Sequence, residues 1–508
     1  MKKFLYFIPV VVLCLAVLAL VLIHGSVPQK QASAARDASE RYIIAVVRSG
    51  TPQQVKEAIE AGADVNAQER WGHTALITAV ERHCSEIVSL LLKAGADVSA
   101  RGRDGTTALI SAIENNADSH LITMLLEAGA DVNARERLQG RTALMAAIKM
   151  NHDLDVISLL LEAGANVNTQ GADGTTALIS AVSYSSDTRL IAMLLEAGAS
   201  ANTRSMAFVS AARNNAEPGV IVMLIESGVN INALDSGGNT ALIHAAGNNA
   251  DTYLIGMLLE AGADANAQNT RGERVLTRAA ENNNLYVINM LLEAGADVNA
   301  HARDRHGSNT RALISAIRNN ADPQVIATLL EAGADANATG WVNSALMYAI
   351  RHDTNLQVVV MLLEAGAAVN VRGFNGWTAL IRATTHDSLF CVITMLLEAG
   401  ADVNKGTFGN YTALMNAARY NTDPRIVVML LEAGANVNAQ DMHGMSALHY
   451  AVRSSSDHHN NKEVIFALLN AGADVDLQDR DRRRVTSSPR WRGIFDEYLR
   501  RQNAVNID

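Results

Sequence analysis

The sequence predicts an all-α repeat solenoid of stacked helix-turn-helix units with β-hairpin loops, preceded by one N-terminal hydrophobic helix. Three observations indicate this fold class: the composition, a short glycine-containing phrase that recurs along the chain, and an apolar run near the N-terminus. Hydrophobic residues make up 49% of the 508 residues, whereas aromatic residues make up only 4%. The apolar side chains are therefore mostly Ala, Leu, Ile, Val and Met, which is typical of short, closely packed helices.

The apolar run covers residues 4–23 and directly follows two lysines. At about 1.5 Å per helical residue it matches the roughly 30 Å hydrocarbon core of a bilayer. A cleaved signal peptide has a shorter apolar region of about 7 to 15 residues. We therefore expect residues 1–25 to form a transmembrane anchor, with a cleaved signal peptide as the alternative, and residues 26–36 to form a polar tether. Either version places the remainder outside the cytoplasm, on the periplasmic or secreted side.

A nine-residue phrase recurs from residue 38 onward. It reads Ala-Ile-Glu-Ala-Gly-Ala-Asp-Val-Asn at 58–66 and Leu-Leu-Glu-Ala-Gly-Ala-Asp-Val-Asn at 125–133. Its glycine returns at steps of 30 to 38 residues, most often 33 or 34. These glycines number the thirteen repeats, each of which includes the hairpin tip and the helix pair before its glycine: Gly62, Gly95, Gly129, Gly164, Gly198, Gly228, Gly262, Gly295, Gly333, Gly366, Gly400, Gly434 and Gly472.

A second phrase, Thr-Ala-Leu-Ile or Thr-Ala-Leu-Met, recurs between the glycines. Together with a period near 33 and the Leu-Leu-x-x-Gly-Ala-Asp-Val-Asn ending, this helix opening resembles the ankyrin-repeat family. The consensus proline of the family is Ala here, and its histidine is usually Ile or Met, returning as His449. The resemblance implies an ankyrin solenoid of about 13 units over residues 37–477, followed by a C-terminal capping segment over 478–508. The phrase starts at Thr74, Thr107, Thr142, Thr176, Thr240, Thr378 and Thr412, with Ser344 and Ser446 as substitutes.

Repeat 9 shows why each unit folds. A helix from Ala312 carries apolar residues at helical spacing, and the following Asn319-Asn320 can turn the chain in a left-handed conformation that Asn tolerates. Asp322 is placed to cap the second helix, with Pro323 in its first position, and Gly333 ends that helix. Two helices of this length cannot bury their apolar faces alone, so neighbouring repeats must stack.

Three departures from the period predict local changes. Residues 201–207 lack the usual hairpin tip, which predicts a short hairpin and a notch. The charged insertion at 301–309 lengthens one hairpin, and the polar segment at 454–462 lengthens the loop between the helices of repeat 13.

The expected function is that of a protein-binding scaffold, using hairpin tips and the exposed side of the first helices, as in ankyrin domains. Aromatic anchors in a chain poor in aromatic residues suggest a binding hot spot across repeats 10 to 12, because these rings give large contact area at low entropic cost. The alternative is that the rings only pack hairpin against hairpin. The candidate partner-binding residues are Trp71, Trp341, Tyr348, Phe374, Trp377, Phe408 and Tyr411.

Stacking predicts that Phe374 meets Phe408 and that Trp377 meets Tyr411, because each pair holds one position in neighbouring repeats.

Other function classes are disfavoured. The net charge of −10 gives no general attraction for nucleic acid. No P-loop, His-Glu-x-x-His or Gly-x-Ser-x-Gly motif occurs, so we expect neither an enzyme nor a cofactor or small-molecule substrate. Three further sets of residues were considered and are expected to be structural or solvated: His449 with Asp457, His458 and His459 as metal ligands; Cys14, Cys84 and Cys391 as disulfide partners; and the C-terminal arginines as an anion site.

A second hypothesis assigns the chain as an accessory or inhibitory partner of an exported enzyme, similar to bacterial ankyrin proteins of the periplasm.

Overall fold

The computed structural model contains two compact units, Met1–Ala233 and Leu234–Asp508. The predicted anchor and tether, residues 1–36, lie outside the described residues, and no helix within the described part is both long and apolar enough to cross a bilayer. The structure describes residues 42–69, 72–185, 187–248, 251–304, 307–340, 343–351, 356–385, 390–420, 423–453, 460–487 and 491–505.

The N-terminal unit is a series of helix pairs. First helices of successive repeats contact each other, and second helices contact second helices, so the chain advances one repeat at a time. The helices span 42–49, Pro52–Glu60, Ala75–Glu81, Ser85–Lys93, Ala108–Glu114, Ser119–Glu127, Ala143–Lys149, Leu154–Glu162, Ala177–Tyr184, Thr188–Glu196, Ala201–Arg213 and Pro218–Glu226.

The C-terminal unit repeats this arrangement and adds one short hairpin, in which Ala302–Arg303 pairs antiparallel with Asn309–Thr310. The insertion at 301–309 therefore lengthens a hairpin as predicted. The helices span Ala241–Gly247, Thr252–Glu260, Val275–Glu281, Leu285–Glu293, Ala312–Arg318, Pro323–Glu331, Ala345–Arg351, Leu356–Glu364, Ala379–Ala383, Phe390–Glu398, Ala413–Tyr420, Pro424–Glu432, Ala447–Arg453, Asn460–Asn470 and Arg492–Val505, with 3₁₀ turns at Phe374–Gly376 and Val485–Ser487.

The recurring threonine caps the first helix of most repeats. In repeat 3 the Thr107 hydroxyl accepts from the Ile110 N–H at 3.3 Å, and Asp118 caps the second helix by accepting from the Leu121 N–H at 2.8 Å. Between the helices Asn116 is left-handed, with φ of 56°. These polar groups satisfy helix-end donors that would otherwise be unpaired.

Repeat 9 confirms the predicted second cap and differs at the first. Asp322 accepts from the Gln324 N–H at 2.9 Å, and Gly333 is left-handed with φ of 86°. The cap position of the first helix is held by Arg311, whose side chain makes no cap bond. Thr310 instead contacts the Ser315 hydroxyl at 3.1 Å, because the longer hairpin shifts it one residue back.

An asparagine ladder joins neighbouring repeats. In repeat 12, Asn404 donates to the Gly434 carbonyl at 3.0 Å and accepts from the Asn436 N–H at 2.7 Å. The Gly434 carbonyl belongs to a helix end and would otherwise lack a donor. The same two bonds are made by a series of asparagines that includes Asn66, Asn133, Asn168, Asn266, Asn299, Asn337, Asn370, Asn404 and Asn438.

Repeat 6 corrects the prediction of a short hairpin over 201–207. These residues extend the first helix, which runs without a break over Ala201–Arg213, with Ser200 as its cap. The segment has no glycine for a tight turn, and its residues suit a helix. Two side chains of the extension replace the ladder, because Arg204 donates to the Ser227 carbonyl and the Ser205 hydroxyl accepts from the Asn230 N–H at 3.1 Å.

The C-terminal helix, Arg492–Val505, covers the last repeat. Trp491 is 4% exposed and donates to the Val452 carbonyl at 3.2 Å, while Phe495 is 1% exposed. The Tyr498 hydroxyl donates to the Leu469 carbonyl at 2.9 Å. The apolar end of repeat 13 is therefore closed by aromatic side chains.

Candidate binding site

Two positions of each first helix differ sharply along the chain. Each first helix begins at the residue after the capping Thr or its equivalent. The two positions lie three and six residues after this first helical residue. In repeats 2 to 5 these positions hold no tyrosine or arginine, whereas in repeats 9 to 13 seven of the ten residues are tyrosine or arginine. The first set is Thr78, Glu81, Ser111, Glu114, Ala146, Lys149, Ser180 and Ser183, and the second is Ser315, Arg318, Tyr348, Arg351, Arg382, Thr385, Asn416, Arg419, Tyr450 and Arg453.

An aromatic cleft of about 380 Å³ opens beside the first helices of repeats 11 to 13. This volume lies in the range of sites that hold a side chain or a small ligand. The cleft is lined by Asn375, Trp377, Thr407, Phe408, Gly409, Tyr411, Asn416, Arg419, Tyr420, Asp441, Met442, His443 and Tyr450.

Hydrogen bonds between successive hairpin tips hold the outer wall of the aromatic cleft. The Phe408 N–H donates to the Asn375 carbonyl at 3.3 Å, and the Met442 N–H donates to the Gly409 carbonyl at 2.8 Å. A Cβ on Gly376 would lie 2.5 Å from the Phe408 nitrogen, so this close approach of two tips requires glycine.

Two tyrosine rings form the inner wall. The rings of Tyr411 and Tyr450 meet edge to face, with centroids 5.1 Å apart and an interplanar angle of 84°. The Tyr450 hydroxyl donates to Asp441 at 2.6 Å, and the same carboxylate accepts the N–H groups of His443 and Met445 at 2.8 and 2.9 Å. Burial raises the pKa of both tyrosines, so they stay neutral. The Asp441 carboxylate therefore accepts three hydrogen bonds within the protein.

The guanidinium of Arg419 lies at the edge of the aromatic cleft. It sits 5.5 Å from the Tyr420 ring centroid and 5.7 Å from that of Tyr450, so cation–π contacts hold it in place. It makes no ion pair with the carboxylates of the described residues, and the next two residues of the chain, Asn421 and Thr422, are uncharged.

Arg382 and Arg351 add positive charge on the first helices of repeats 11 and 10. Arg382 is half-buried, with its guanidinium 5.3 Å from the Trp377 ring centroid. Burial, together with the nearby charge of Arg351, lowers the pKa of Arg382. Within the described part of the chain neither arginine pairs with a carboxylate. Arg351, Arg382 and Arg419 together form the arginine face.

The floor of the aromatic cleft has two polar atoms without partners among the described residues. Asn416 is fully buried, and its amide nitrogen donates to the Ile381 carbonyl at 3.1 Å and to the Thr384 hydroxyl at 3.0 Å. A flipped amide would place Oδ1 against the Ile381 carbonyl oxygen, which is also an acceptor, so the amide orientation is fixed. In this orientation Oδ1 accepts no hydrogen bond from the described residues. The buried Tyr411 hydroxyl also makes no hydrogen bond of normal geometry, with Arg419 as the charge beside it.

The seven candidate residues differ in their exposure and in whether they line the cleft. Trp71 and Trp341 lie outside the described residues. Phe374 and Phe408 are 60% and 74% exposed at neighbouring tips. Trp377 and Tyr411 are half-buried and line the same cleft, although the ring that packs on Tyr411 is that of Tyr450.

Tyr348 differs from the expectation of an exposed ring. It is 5% exposed, and Arg318 covers its ring with the guanidinium 5.7 Å from the centroid. A Cβ on Gly340 would lie 3.0 Å from the ring, so the hairpin backbone closes over it. Tyr348 therefore supports the tip rather than presenting an anchor.

Sequence reasoning missed Arg419, Tyr420 and Tyr450. It recognised the position three residues after the helix alanine only at Tyr348. Counting three residues on from Ala447 would have identified Tyr450, and counting six on from Ala413 would have identified Arg419. The signal for Tyr450 was thus present in the repeat register, as a departure from the small residues that repeats 2 to 5 hold at its position.

The other candidate residues are the proposed metal ligands and the cysteines. Asp457, His458 and His459 lie outside the described residues, and the described part contains no cluster suited to a metal ion. His449 is 3% exposed, with Nδ1 accepting from the Ser446 hydroxyl at 2.9 Å and Nε2 facing the Arg483 carbonyl at 3.4 Å. Cys84 and Cys391 are free thiols.

A second groove of about 610 Å³ lies along the second helices of repeats 7 and 8. Tyr253 and Tyr286 flank it and are 59% and 74% exposed. It contains Glu260 and Glu293 but no cation, so it differs in charge from the aromatic cleft.

Comparison with known proteins identifies the repeat. A family model described as ankyrin repeats, in three copies, matches residues 43–136, 115–205, 208–302, 313–407 and 396–479. No curated protein matches the sequence significantly.

Proposed function

The chain belongs to the ankyrin-repeat family, and from this premise we propose that it is a protein-binding scaffold whose principal site is the aromatic cleft with its flanking tips. Ankyrin-repeat proteins are typically non-enzymatic binding scaffolds. The finer assignment to repeats 10 to 13 rests on one observation: large aromatic rings stand exposed or half-buried around one cleft, whereas the tip positions that correspond to Trp377 and Phe408 hold no Phe, Tyr or Trp in repeats 2 to 5.

Exposure and rigidity favour binding over mere packing. Phe408 is 74% exposed, although its backbone is fixed to the preceding tip, so its ring is presented rather than buried. Rings held rigidly at a surface lose little entropy when a partner covers them. Arg372 lies with its guanidinium 5.9 Å from the Phe408 ring, which leaves the ring edge free for contact.

We also propose that this scaffold acts outside the cytoplasm, held at the membrane by residues 4–23. The support is the length of the apolar run, which matches a bilayer. N-terminal sequencing of the mature protein tests this, because a start near residue 26 or 35 means a cleaved signal peptide rather than an anchor. Protease accessibility from the periplasmic side tests the location.

Capture of the partner tests the binding site. Full-length protein, extracted from native membranes with detergent, is used as bait with the variants Phe408→Ala, Trp377→Ala and Trp341→Ala. We expect Phe408→Ala and Trp377→Ala to lose a specific partner. Tyr286→Ala is the matched control, because Tyr286 is also 74% exposed but lies at the second groove.

Undiminished capture by the first two variants would refute the assignment to the aromatic cleft. Loss of capture by the control alone would move the site to the second groove. The identity of the captured protein distinguishes the second hypothesis, since a single enzyme as partner favours an accessory or inhibitory role.

A further inference from the structure

We propose that the arginine face binds an extended, acidic segment of a protein partner, with one carboxylate opposite each of Arg351, Arg382 and Arg419. This inference rests on the protein-binding function proposed above and specifies the chemistry of the partner. The segment runs across the first helices of repeats 10 to 12 and ends with an apolar side chain in the aromatic cleft.

The charges of repeats 9 to 13 indicate an acidic partner. The whole chain has a net charge of −10, yet three successive repeats present arginines that form no ion pair with the described carboxylates. In repeats 9 and 13 the arginine at the position of Arg351 and Arg419 is paired: Arg318 with Asp304 and Arg453 with Asp479, the latter at 3.5 Å. Unlike these two, Arg351, Arg382 and Arg419 have no counter-ion among the described residues.

The arginines are also prepared for a carboxylate. Arg382 and Arg419 are held against aromatic rings, so their guanidinium groups have lost freedom before a partner arrives. Guanidinium groups bind carboxylates through two parallel hydrogen bonds, and preorganised groups lose less entropy on binding. The lowered pKa of Arg382 has burial as its largest cause and the charge of Arg351 as the next, and a carboxylate would offset this repulsion.

Helix spacing sets the conformation of the partner. Packed helices lie about 8–10 Å apart, and Arg382 stands about 4.5 Å earlier along its helix than Arg351 and Arg419, so arginines of successive repeats are separated by about 10 Å. A polyproline II segment rises about 3.1 Å per residue with three residues per turn, which places every third side chain on one face about 9 Å apart. The expected motif is therefore an acidic residue at every third position.

The aromatic cleft adds an apolar position next to Arg419. Trp377, Phe408 and Tyr411 provide its walls, and its volume of about 380 Å³ accommodates a leucine-sized side chain with adjacent backbone. Asp441 also lines the cleft, and its negative charge favours an uncharged side chain over an acidic one at this position.

A nucleic acid offers anionic groups at a different spacing. Its phosphates would meet a chain with an overall negative charge, and three arginines release few counterions. We therefore infer an acidic protein segment, and nucleic acid becomes an outcome of the test.

The experiment measures binding of synthetic peptides to the full-length chain in detergent by fluorescence anisotropy. The probe is a labelled 12-residue peptide with the sequence Glu-Pro-Leu repeated four times. Two peptides serve as comparisons: Gln-Pro-Leu repeated four times, and a version of the probe in which all glutamates are consecutive. A labelled 12-nucleotide single-stranded DNA tests the alternative polyanion.

We expect the probe to bind at least 10-fold more tightly than either comparison peptide, and more weakly as salt increases. Arg382→Gln and Arg419→Gln should each weaken binding about 10-fold. The control Arg213→Gln changes the equivalent helix position in repeat 6 and should leave binding unchanged.

Equal binding of the glutamine peptide, no binding of the probe, or unchanged binding in Arg382→Gln and Arg419→Gln overturns the inference. Tighter binding of the DNA with the same arginine dependence overturns it in favour of nucleic acid. If the peptide fails while partner capture still depends on Phe408, the proposed function stands without this inference. If both fail, the site itself is wrong.

Discussion

The first helices of repeats 2 to 5 and those of repeats 10 to 13 share a backbone but differ in what they present. Both sets begin with a capping Thr or Ser and an alanine, and both bury the same apolar positions. Three residues into these helices the first set has Thr78, Ser111, Ala146 and Ser180, whereas the second has Tyr348, Arg382, Asn416 and Tyr450.

This difference separates what the fold requires from what a function adds. Repeats 2 to 5 show that stacking is satisfied by small side chains at this position. The tyrosines and arginines of the later repeats are therefore not needed for stacking as such. Tyr348 supports its own hairpin tip, whereas for Arg382, Arg419 and Tyr450 we propose a binding role.

The comparison first depends on both regions having the same core. Leu125 of repeat 3 and Leu430 of repeat 12 are fully buried at the same position of their second helices. Each Leu→Ala change should lower the free energy of unfolding by about 3–5 kcal/mol, because it removes apolar contacts and leaves a cavity. Urea unfolding followed by circular dichroism measures this. A cost below about 1 kcal/mol in either variant would show that the two cores differ.

The asparagine ladder should contribute about equally in both regions. Asn133→Ala and Asn404→Ala each remove one hydrogen bond donated to the next repeat and one accepted from it. At about 1 kcal/mol per bond, and less for exposed ones, we expect each to cost about 1–2 kcal/mol in unfolding experiments.

Repeat 2 offers the reverse change, since Ser99 stands where the ladder has asparagine. Ser99→Asn should raise the thermal midpoint by supplying donors and acceptors for Gly129 and Asp131. If Ser99→Asn leaves the thermal midpoint unchanged and Asn133→Ala leaves the free energy of unfolding unchanged, the ladder contributes little to stability.

A buried histidine should add a pH-dependent contribution to stability in the C-terminal region. Burial lowers the pKa of His449, and the neutral ring accepts from Ser446 through Nδ1. Asp479 and Asp441 oppose this effect and Arg453 adds to it. Because the folded pKa lies below the usual value of about 6.5, the stabilisation is present above that pH and is lost as pH falls below it.

We therefore expect wild-type protein to lose stability between about pH 7 and 5 more steeply than His449→Gln, measured by thermal unfolding at each pH. The Gln side chain cannot take up a proton in this range. Parallel pH profiles for the two proteins would contradict a neutral, buried histidine.

The smallest effect on stability should come from the arginine face. Arg419→Ser introduces the kind of residue found in repeat 5, where Ser183 holds the position. Arg419 is exposed, so the free energy of unfolding should change by about 0.5 kcal/mol or less. Urea unfolding tests this beside the peptide measurements above. A loss above about 2 kcal/mol would make Arg419 a structural residue and remove the contrast between the two regions.

The sequence predicted the helix pairs well because capping residues and left-handed turns act locally. Asp322, Asn320 and Gly333 behave as expected from their neighbours alone. Repeat 6 was mispredicted because the absence of a turn was taken to shorten a hairpin, whereas the segment had enough helix-forming residues to continue a helix.

The candidate site was predicted only in part. Exposed rings at the tips, such as Phe408, follow from their place in a hairpin. The contact of Tyr411 with Tyr450 and the burial of Tyr348 depend on how successive repeats are offset, which a single repeat does not specify.

The ladder position of repeat 13 affects whether a further repeat could stack on it. Repeat 13 has Asp476 where eleven of the other twelve repeats have asparagine, and this carboxylate pairs with Arg484 at 3.1 Å. A carboxylate has no hydrogen to donate and would face the glycine carbonyl of any added repeat with like charge. The final unit therefore disfavours end-to-end growth with further copies, much as charged residues protect the open edge of a β-sheet.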